Sequence, residues 1–105
     1  GAIMNSDQYF LCKIAEECTE IAHRALKAQQ FGLGEIQPNQ TLSNFERLVS
    51  EYHDLHTTFM AFMCQVGNHD GMYPSQQAME TRLNKTRKFL TLSKELGQVD
   101  HETEI

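Results

Sequence analysis

Residues 6–30, SDQYFLCKIAEECTEIAHRALKAQQ, contain the pattern that decides the fold. Their apolar side chains recur at intervals of three and four residues, which is the spacing of one face of an α-helix. These side chains are Phe10, Leu11, Ile14, Ala15, Cys18, Ile21, Ala22, Ala25 and Leu26. We predict Ser6 as the N-cap, because its side chain can accept a free backbone N–H, and Gly32 as the residue that ends the helix.

Two further stretches have the same helical periodicity. The second helix is predicted to begin at Ser43, where Ser-Asn-Phe-Glu is typical of a capping box, and to end at Gly67. The third is predicted over about residues 75–96. The segments between them, residues 32–42 and 67–74, contain Gly and Pro and are predicted as loops. Since no segment has the pattern of a strand, we predict an all-α fold, an antiparallel helical bundle of three long helices.

The composition is typical of one small, acidic globular domain. The chain has 105 residues, with 9 Lys+Arg against 14 Asp+Glu and a formal net charge of −5. This balance argues against binding to a nucleic acid polymer, which needs a basic surface. No apolar run approaches the roughly 20 residues that cross a bilayer, so we expect no membrane span. A chain of this length buries only about two-thirds of its unfolded surface, so oligomerisation would supplement its core.

A single domain is predicted over residues 4–97. Residues 1–3 precede a methionine and have the character of an expression remnant, and residues 98–105 are expected to form a frayed tail. The three cysteines contain no C-x-x-C pair. We therefore expect reduced thiols and a cytoplasmic protein.

Acidic residues share one side of each of the first two predicted helices. On the first, Glu17 and Glu20 lie about 60° apart around the axis, and Glu16 and Glu20 about 40° apart. On the second, Glu51 and Asp54 are separated by three residues and also share a side. If the helices pack antiparallel, these carboxylates converge. Carboxylates alone would repel one another, and oxygen-only ligands favour a hard cation, so we predict Mg²⁺, with Mn²⁺ as a substitute.

Several alternatives remain open at this point. Glutamates three or four residues apart are also common on helix surfaces that simply face water. A non-catalytic helical interaction module would account for the apolar stripes. A carboxylate-bridged di-iron bundle would need Glu-x-x-His on two helices, and only residues 20–23 have that form.

The ordered motifs E-E-x-x-E at residues 16–20 and E-x-x-D at residues 51–54 resemble the signature of the MazG-type all-α nucleoside triphosphate pyrophosphohydrolases. Flanking segments at residues 24–28, 46–49 and 85–90 are also similar to that family, and the similarity extends over about residues 10–97. The resemblance implies a MazG-like antiparallel bundle completed by oligomerisation. A homodimer, or a dimer of dimers, is the expected assembly.

The resemblance also implies an activity and roles for the acidic residues. The activity is Mg²⁺-dependent hydrolysis of a (d)NTP between its α and β phosphorus, which releases a nucleoside monophosphate and pyrophosphate. Glu16 would orient or deprotonate the attacking water. The implied metal ligands are Glu17, Glu20, Glu51 and Asp54.

A polyphosphate substrate also needs cations close to these carboxylates. Lys27 follows Glu20 by seven residues and so lies within about 20° of it around the axis, and Arg47 precedes Glu51 by about one turn. Arg82 and Lys85 fall inside or beside the apolar sector of the third helix. The predicted phosphate-binding residues are therefore Lys85, Arg47, Arg82 and Lys27, together with Lys88 on the resemblance alone. Surface salt bridges are the alternative for each of them.

Overall fold

The computed structural model describes residues 3–105, and every regular element in that range is helical. It comprises α1 (Ser6–Phe31), α2 (Asn44–Val66), a single 3₁₀ turn (Asp70–Met72) and α3 (Gln76–Glu95). The prediction of an all-α protein is thus confirmed. Of the expression remnant predicted at residues 1–3, residues 1 and 2 lie outside the described range.

The first helix is capped by Asn5, so the prediction of Ser6 as N-cap is wrong. The Asn5 side chain accepts the Gln8 backbone N–H at 2.8 Å, and the Gln8 side chain accepts the Asn5 N–H at 3.0 Å. This reciprocal pair satisfies two free N–H groups. With Ser6 as the cap, Tyr9 would occupy the third helical position, and its ring cannot return a hydrogen bond of this kind. Asn5 is therefore the better cap.

The predicted ends of the other helices are confirmed. Ser43 and Glu46 form the capping box of α2, with hydrogen bonds of 3.0 and 3.1 Å, and the backbone N–H of Ser43 holds the pKa of Glu46 below its ordinary value. Gly67 ends α2 in the left-handed conformation at φ 74°, which a glycine adopts without steric cost. Ser75 caps α3 by accepting the Ala78 N–H at 3.1 Å.

The first two helices form an antiparallel pair. At one end, the Ser6 hydroxyl accepts a hydrogen bond from Gln65 Nε2 at 3.0 Å. One turn further along α1, the rings of Phe10 and Phe62 lie 6.3 Å apart. The start of α1 therefore lies beside the end of α2, and residues further into each helix meet in reverse order.

A buried asparagine fixes the other end of this pair. Asn44 is 1% exposed, and its side-chain amide donates to the Gly32 carbonyl at 2.8 Å and to Glu35 Oε1 at 3.1 Å. Its own backbone N–H donates to the Glu35 carbonyl at 2.8 Å. The first residue of α2 is thereby tied to the end of α1, which sets the register of the two helices.

The chain divides into two compact units, one that ends at Met72 and a second, Tyr73–Ile105. The first contains α1, α2 and the 3₁₀ turn, and the second contains α3 and the segment after it. Several large apolar side chains of α3 are exposed, namely Met79, Leu83, Phe89 and Leu92. Over residues 3–105, only Ala28 and Met63 are buried apolar residues, so the core is small. A single domain over residues 4–97 remains a prediction.

No helix among the described residues combines the length and the apolar character that a membrane span requires.

Candidate metal centre

The antiparallel pairing of α1 and α2 brings three carboxylates together midway along the helices. Glu17 comes from α1, and Glu51 and Asp54 come from one side of α2. One carboxylate oxygen of each lies within 4.8 Å of the other two. Glu17 and Glu51 are half-buried, whereas Asp54 is exposed. We call these three residues the acidic triad.

Electrostatics within the acidic triad are unfavourable to its ionised form. Partial burial raises the pKa of Glu17, and the negative charges of Asp54 and Glu51 raise it further. Removing a carboxylate from water disfavours its charged state, and two like charges nearby add to that cost. A bound cation would reverse both effects.

The acidic triad fits a hard divalent cation in its donor chemistry. All three donors are carboxylate oxygens, with no thiolate and no imidazole among them. Around Mg²⁺ at about 2.1 Å, adjacent oxygens are separated by about 3 Å and opposite ones by about 4 Å, so a spread of up to 4.8 Å requires only small side-chain adjustments. Mg²⁺ is usually held by a few carboxylates while waters and substrate phosphates complete its coordination.

The two other predicted acids of α1 lie outside the acidic triad. Glu20 is exposed, and its charge contributes to the raised pKa of Glu17. Glu16 is also exposed, pairs with Lys13 Nζ at 3.1 Å and accepts a weak hydrogen bond from the Cys12 thiol at 3.9 Å. A fourth metal ligand at Glu20 and a water-activating role for Glu16 remain predictions.

The two predicted phosphate-binding cations of the first unit have partners within that unit. Arg47 is half-buried, and its Nη1 donates to Gln37 Oε1 at 3.1 Å. Lys27 is half-buried, with Nζ 5.5 Å from the centre of the Phe31 ring. Both interactions hold the cationic group near the end of the helix pair that carries Asn44. Phosphate binding by either residue would have to compete with these contacts.

The other predicted phosphate-binding cations belong to the second unit and are exposed on α3. Lys85 Nζ lies 5.9 Å from the centre of the Phe89 ring. Arg82 and Lys85 line one open groove along α3, and Lys88 lines another with Phe89 and Leu92. Within α3, Lys85 therefore borders apolar side chains as its position in the sequence predicts. Phosphate binding by Lys85, Arg82 and Lys88 remains a prediction.

Arg24 is a further candidate phosphate-binding residue, and it was not predicted from the sequence. Its Nη1 atom is inaccessible to solvent and has no hydrogen-bond partner among the described residues. A buried polar group without a partner is costly, and a charged one more so. The signal was present in the sequence, because Arg24 follows Glu17 by seven residues and shares its side of the helix to within about 20°. The same spacing from Glu20 identified Lys27.

Comparison with known proteins gives no match. No protein-family model matches the chain, and no curated protein or solved structure is significantly similar to it. The function is therefore inferred from the acidic triad and the chemistry of the residues around it.

Proposed function

We propose that this chain is a Mg²⁺-dependent nucleotide pyrophosphohydrolase that cleaves a (d)NTP between its α and β phosphorus. The observation that carries the proposal is the convergence of Glu17, Glu51 and Asp54 from two helices to within 4.8 Å. Partial burial, together with the negative charges of Asp54 and Glu51, raises the pKa of Glu17, and a bound cation would offset that cost. The resemblance of the two acidic motifs to those of MazG-type enzymes supports this reaction over other uses of Mg²⁺.

The roles proposed for the acidic residues are those that the resemblance implies. The acidic triad would hold the ion, with Glu20 as a fourth ligand. When bound, Mg²⁺ polarises the phosphoryl oxygen and lowers the pKa of its water. Glu16 is exposed beside Glu17 and would orient that water or accept its proton, in competition with the ion pair to Lys13 at 3.1 Å.

The proposed phosphate contacts are Lys85, Arg47, Arg82 and Lys27, with Lys88 on the resemblance alone. The small core and the exposed apolar side chains of α3 support completion of a MazG-like bundle by a second subunit, as a homodimer or a dimer of dimers. Light scattering at micromolar concentration tests this assembly, and a monomeric mass would refute it.

The activity is tested by incubating the purified chain with each (d)NTP and Mg²⁺ and measuring the release of pyrophosphate and nucleoside monophosphate. We expect Glu51→Gln to lower the rate by about a hundredfold or more, because it removes a ligand charge without changing the shape of the side chain. Glu104→Gln is the matched control, since Glu104 is exposed at the end of the chain. If no nucleotide is cleaved and Glu51→Gln behaves like the parent protein, the proposal fails.

A non-catalytic helical interaction module is the second candidate. The observation that favours it is the exposure of large apolar residues on α3, such as Met79, Leu83 and Phe89. That exposure would explain binding to another helix, but it would not explain why acids converge between α1 and α2. An inactive chain that is unaffected by Mg²⁺ and still self-associates would favour this alternative.

A further inference from the structure

A thiol and an imidazole meet at the end of α2. Cys64 is exposed in the last turn of the helix, and its Sγ lies 3.5 Å from Nδ1 of His69, which is also exposed. Two backbone hydrogen bonds hold the turn between them: the Gly67 N–H donates to the Cys64 carbonyl at 3.2 Å, and the Asn68 N–H donates to the Met63 carbonyl at 3.0 Å. The left-handed Gly67 therefore reverses the chain and returns His69 to the cysteine.

A further hydrogen bond closes the exposed turn that carries His69. The Gly71 N–H donates to Asn68 Oδ1 at 3.2 Å. A Cβ atom added at Gly71 would lie 2.8 Å from Asn68 Nδ2, so the turn has no room for a larger residue there unless the asparagine moves. His69 lies between these two residues in the sequence, within the turn that this hydrogen bond closes.

This arrangement is the one that activates a thiol. When the imidazole carries its proton on Nε2, the Cys64 S–H donates to Nδ1, which can then take the proton as the sulfur attacks. The thiolate is the reactive form of cysteine, and an adjacent base makes it available at neutral pH. The hydrogen-bond partner of the Cys12 thiol is instead the Glu16 carboxylate, at the longer distance of 3.9 Å.

Both other cysteines lie in the acidic segment of α1. Cys12 is half-buried, and its thiol donates to the Glu16 carboxylate at 3.9 Å. Cys18 is exposed but follows Glu17 directly and precedes Glu20 by two residues. Neither sulfur has an imidazole at hydrogen-bond distance in the described contacts. The three thiols are therefore expected to differ in reactivity, with Cys64 the most reactive.

We propose that Cys64 is a modification site that reacts with small-molecule disulfides by thiol–disulfide exchange, with His69 as the base. His69 Nδ1 takes the thiol proton, and Cys64 Sγ attacks one sulfur of the small disulfide. The S–S bond of the small disulfide breaks as the mixed disulfide forms. The departing thiolate then receives the proton from His69, so that the protein thiol is oxidised and half of the small disulfide is reduced.

This site is separate from the acidic triad and does not depend on the proposed hydrolysis. Cys64 follows Asp54 by ten residues, which corresponds to about 15 Å along the helix. A group attached to Cys64 would therefore lie at the end of the helix pair and would not occupy the candidate metal centre.

The test treats the full chain, free of reducing agent, with oxidised glutathione and, separately, with the neutral alkylating agent iodoacetamide. Peptide mass spectrometry then gives the rate at each cysteine. We expect both reagents to modify Cys64 about tenfold faster than Cys12 or Cys18, and His69→Ala to remove most of that difference. His101→Ala is the matched control, because it removes an exposed imidazole from the second unit.

Three results would overturn the proposal. The first is an equal rate of modification at Cys64 and Cys18 in the parent protein, which needs no variant. The second is an unchanged Cys64 rate in His69→Ala, with circular dichroism showing that the variant keeps its helices. A reaction with iodoacetamide but not with oxidised glutathione would also overturn it, since the thiol would then be reactive without taking part in disulfide exchange.

Discussion

Glu17 of α1 lies across the helix pair from Asp54 of α2, with one carboxylate oxygen of each within 4.8 Å of the other. Neither residue forms a salt bridge, since the ion pair found among residues 3–105 joins Lys13 to Glu16. The protein without metal therefore holds the half-buried carboxylate of Glu17 close to the exposed carboxylate of Asp54. This arrangement makes the charge of Glu17 a cost to folding that a cation can remove.

Replacing Glu17 by glutamine should stabilise the protein at neutral pH when divalent ions are absent. The folded state raises the pKa of Glu17 above the ordinary value of 4.5, because of partial burial first and the charges of Asp54 and Glu51 second. The folded state therefore binds more protons than the unfolded state just above pH 4.5, and this contribution to stability is lost as the pH rises.

Urea unfolding in EDTA at several pH values measures this effect. The stability gained in Glu17→Gln should be smallest near pH 4.5 and should grow as the pH rises through the raised pKa. A variant that is less stable than the parent at pH 7, with a difference that does not change with pH, would contradict the argument.

Magnesium should raise the melting temperature by binding the folded protein alone. At a concentration one hundred times the dissociation constant, such a ligand adds about 2.7 kcal/mol to the free energy of unfolding. We expect Asp54→Asn and Glu51→Gln to lose most of this gain, and Glu20→Gln to lose part of it if Glu20 is a fourth ligand. Thermal unfolding with and without millimolar Mg²⁺ measures the gain, and Glu104→Gln should retain it.

Removing the side chain of Asn44 should destabilise the helix pair. Asn44→Ala loses two hydrogen bonds, at 2.8 and 3.1 Å, and leaves the Gly32 carbonyl without this donor. We expect a loss of about 1–3 kcal/mol in the free energy of unfolding, measured by urea denaturation. Asn84→Ala is the control, because Asn84 is an exposed residue of α3. Equal effects of the two substitutions would show that Asn44 does not fix the register.

The sequence was sufficient to predict the helices, because apolar periodicity and capping residues are local signals. Ser43 and Gly67 were identified as ends of α2 from their chemistry alone, and the structure confirms both. The error at Ser6 arose because two adjacent residues, Asn5 and Ser6, can each cap a helix. The choice between them depends on which residue stands three positions later, and Gln8 decides it.

The candidate site was harder to predict, because its geometry depends on how two helices pair. The spacing within each motif placed Glu51 and Asp54 on one side, and the antiparallel pairing then brought Glu17 to them. Spacing could not separate these three from Glu20, since a small rotation of α1 decides which acid faces α2. The sequence also could not predict that Arg24 Nη1 is buried without a hydrogen-bond partner, because this depends on which acceptors the other elements bring near it.

The corrected cap of α1 leads to a paired prediction. Asn5→Ala should lower the free energy of unfolding by about 1 kcal/mol, because it breaks the capping box with Gln8. Ser6→Ala should cost less, since Ser6 contributes a single exposed hydrogen bond to Gln65 at 3.0 Å. Urea denaturation of both variants gives the comparison, and a larger loss for Ser6→Ala would restore Ser6 as the cap.

Replacing Arg24 by methionine should leave the stability of the free protein nearly unchanged and, if Arg24 binds a phosphate, should weaken nucleotide binding. Methionine retains the apolar stem of arginine but removes a guanidinium whose Nη1 is buried without a partner, so the free energy of unfolding should stay within about 1 kcal/mol of the parent or rise. If Arg24 meets a phosphate, the same variant should weaken the stabilisation by a nucleoside triphosphate while retaining that by Mg²⁺ alone. Thermal unfolding with each ligand measures both effects. A loss of several kcal/mol in the free protein, with unchanged nucleotide binding, would instead make Arg24 a structural residue of the helix pair.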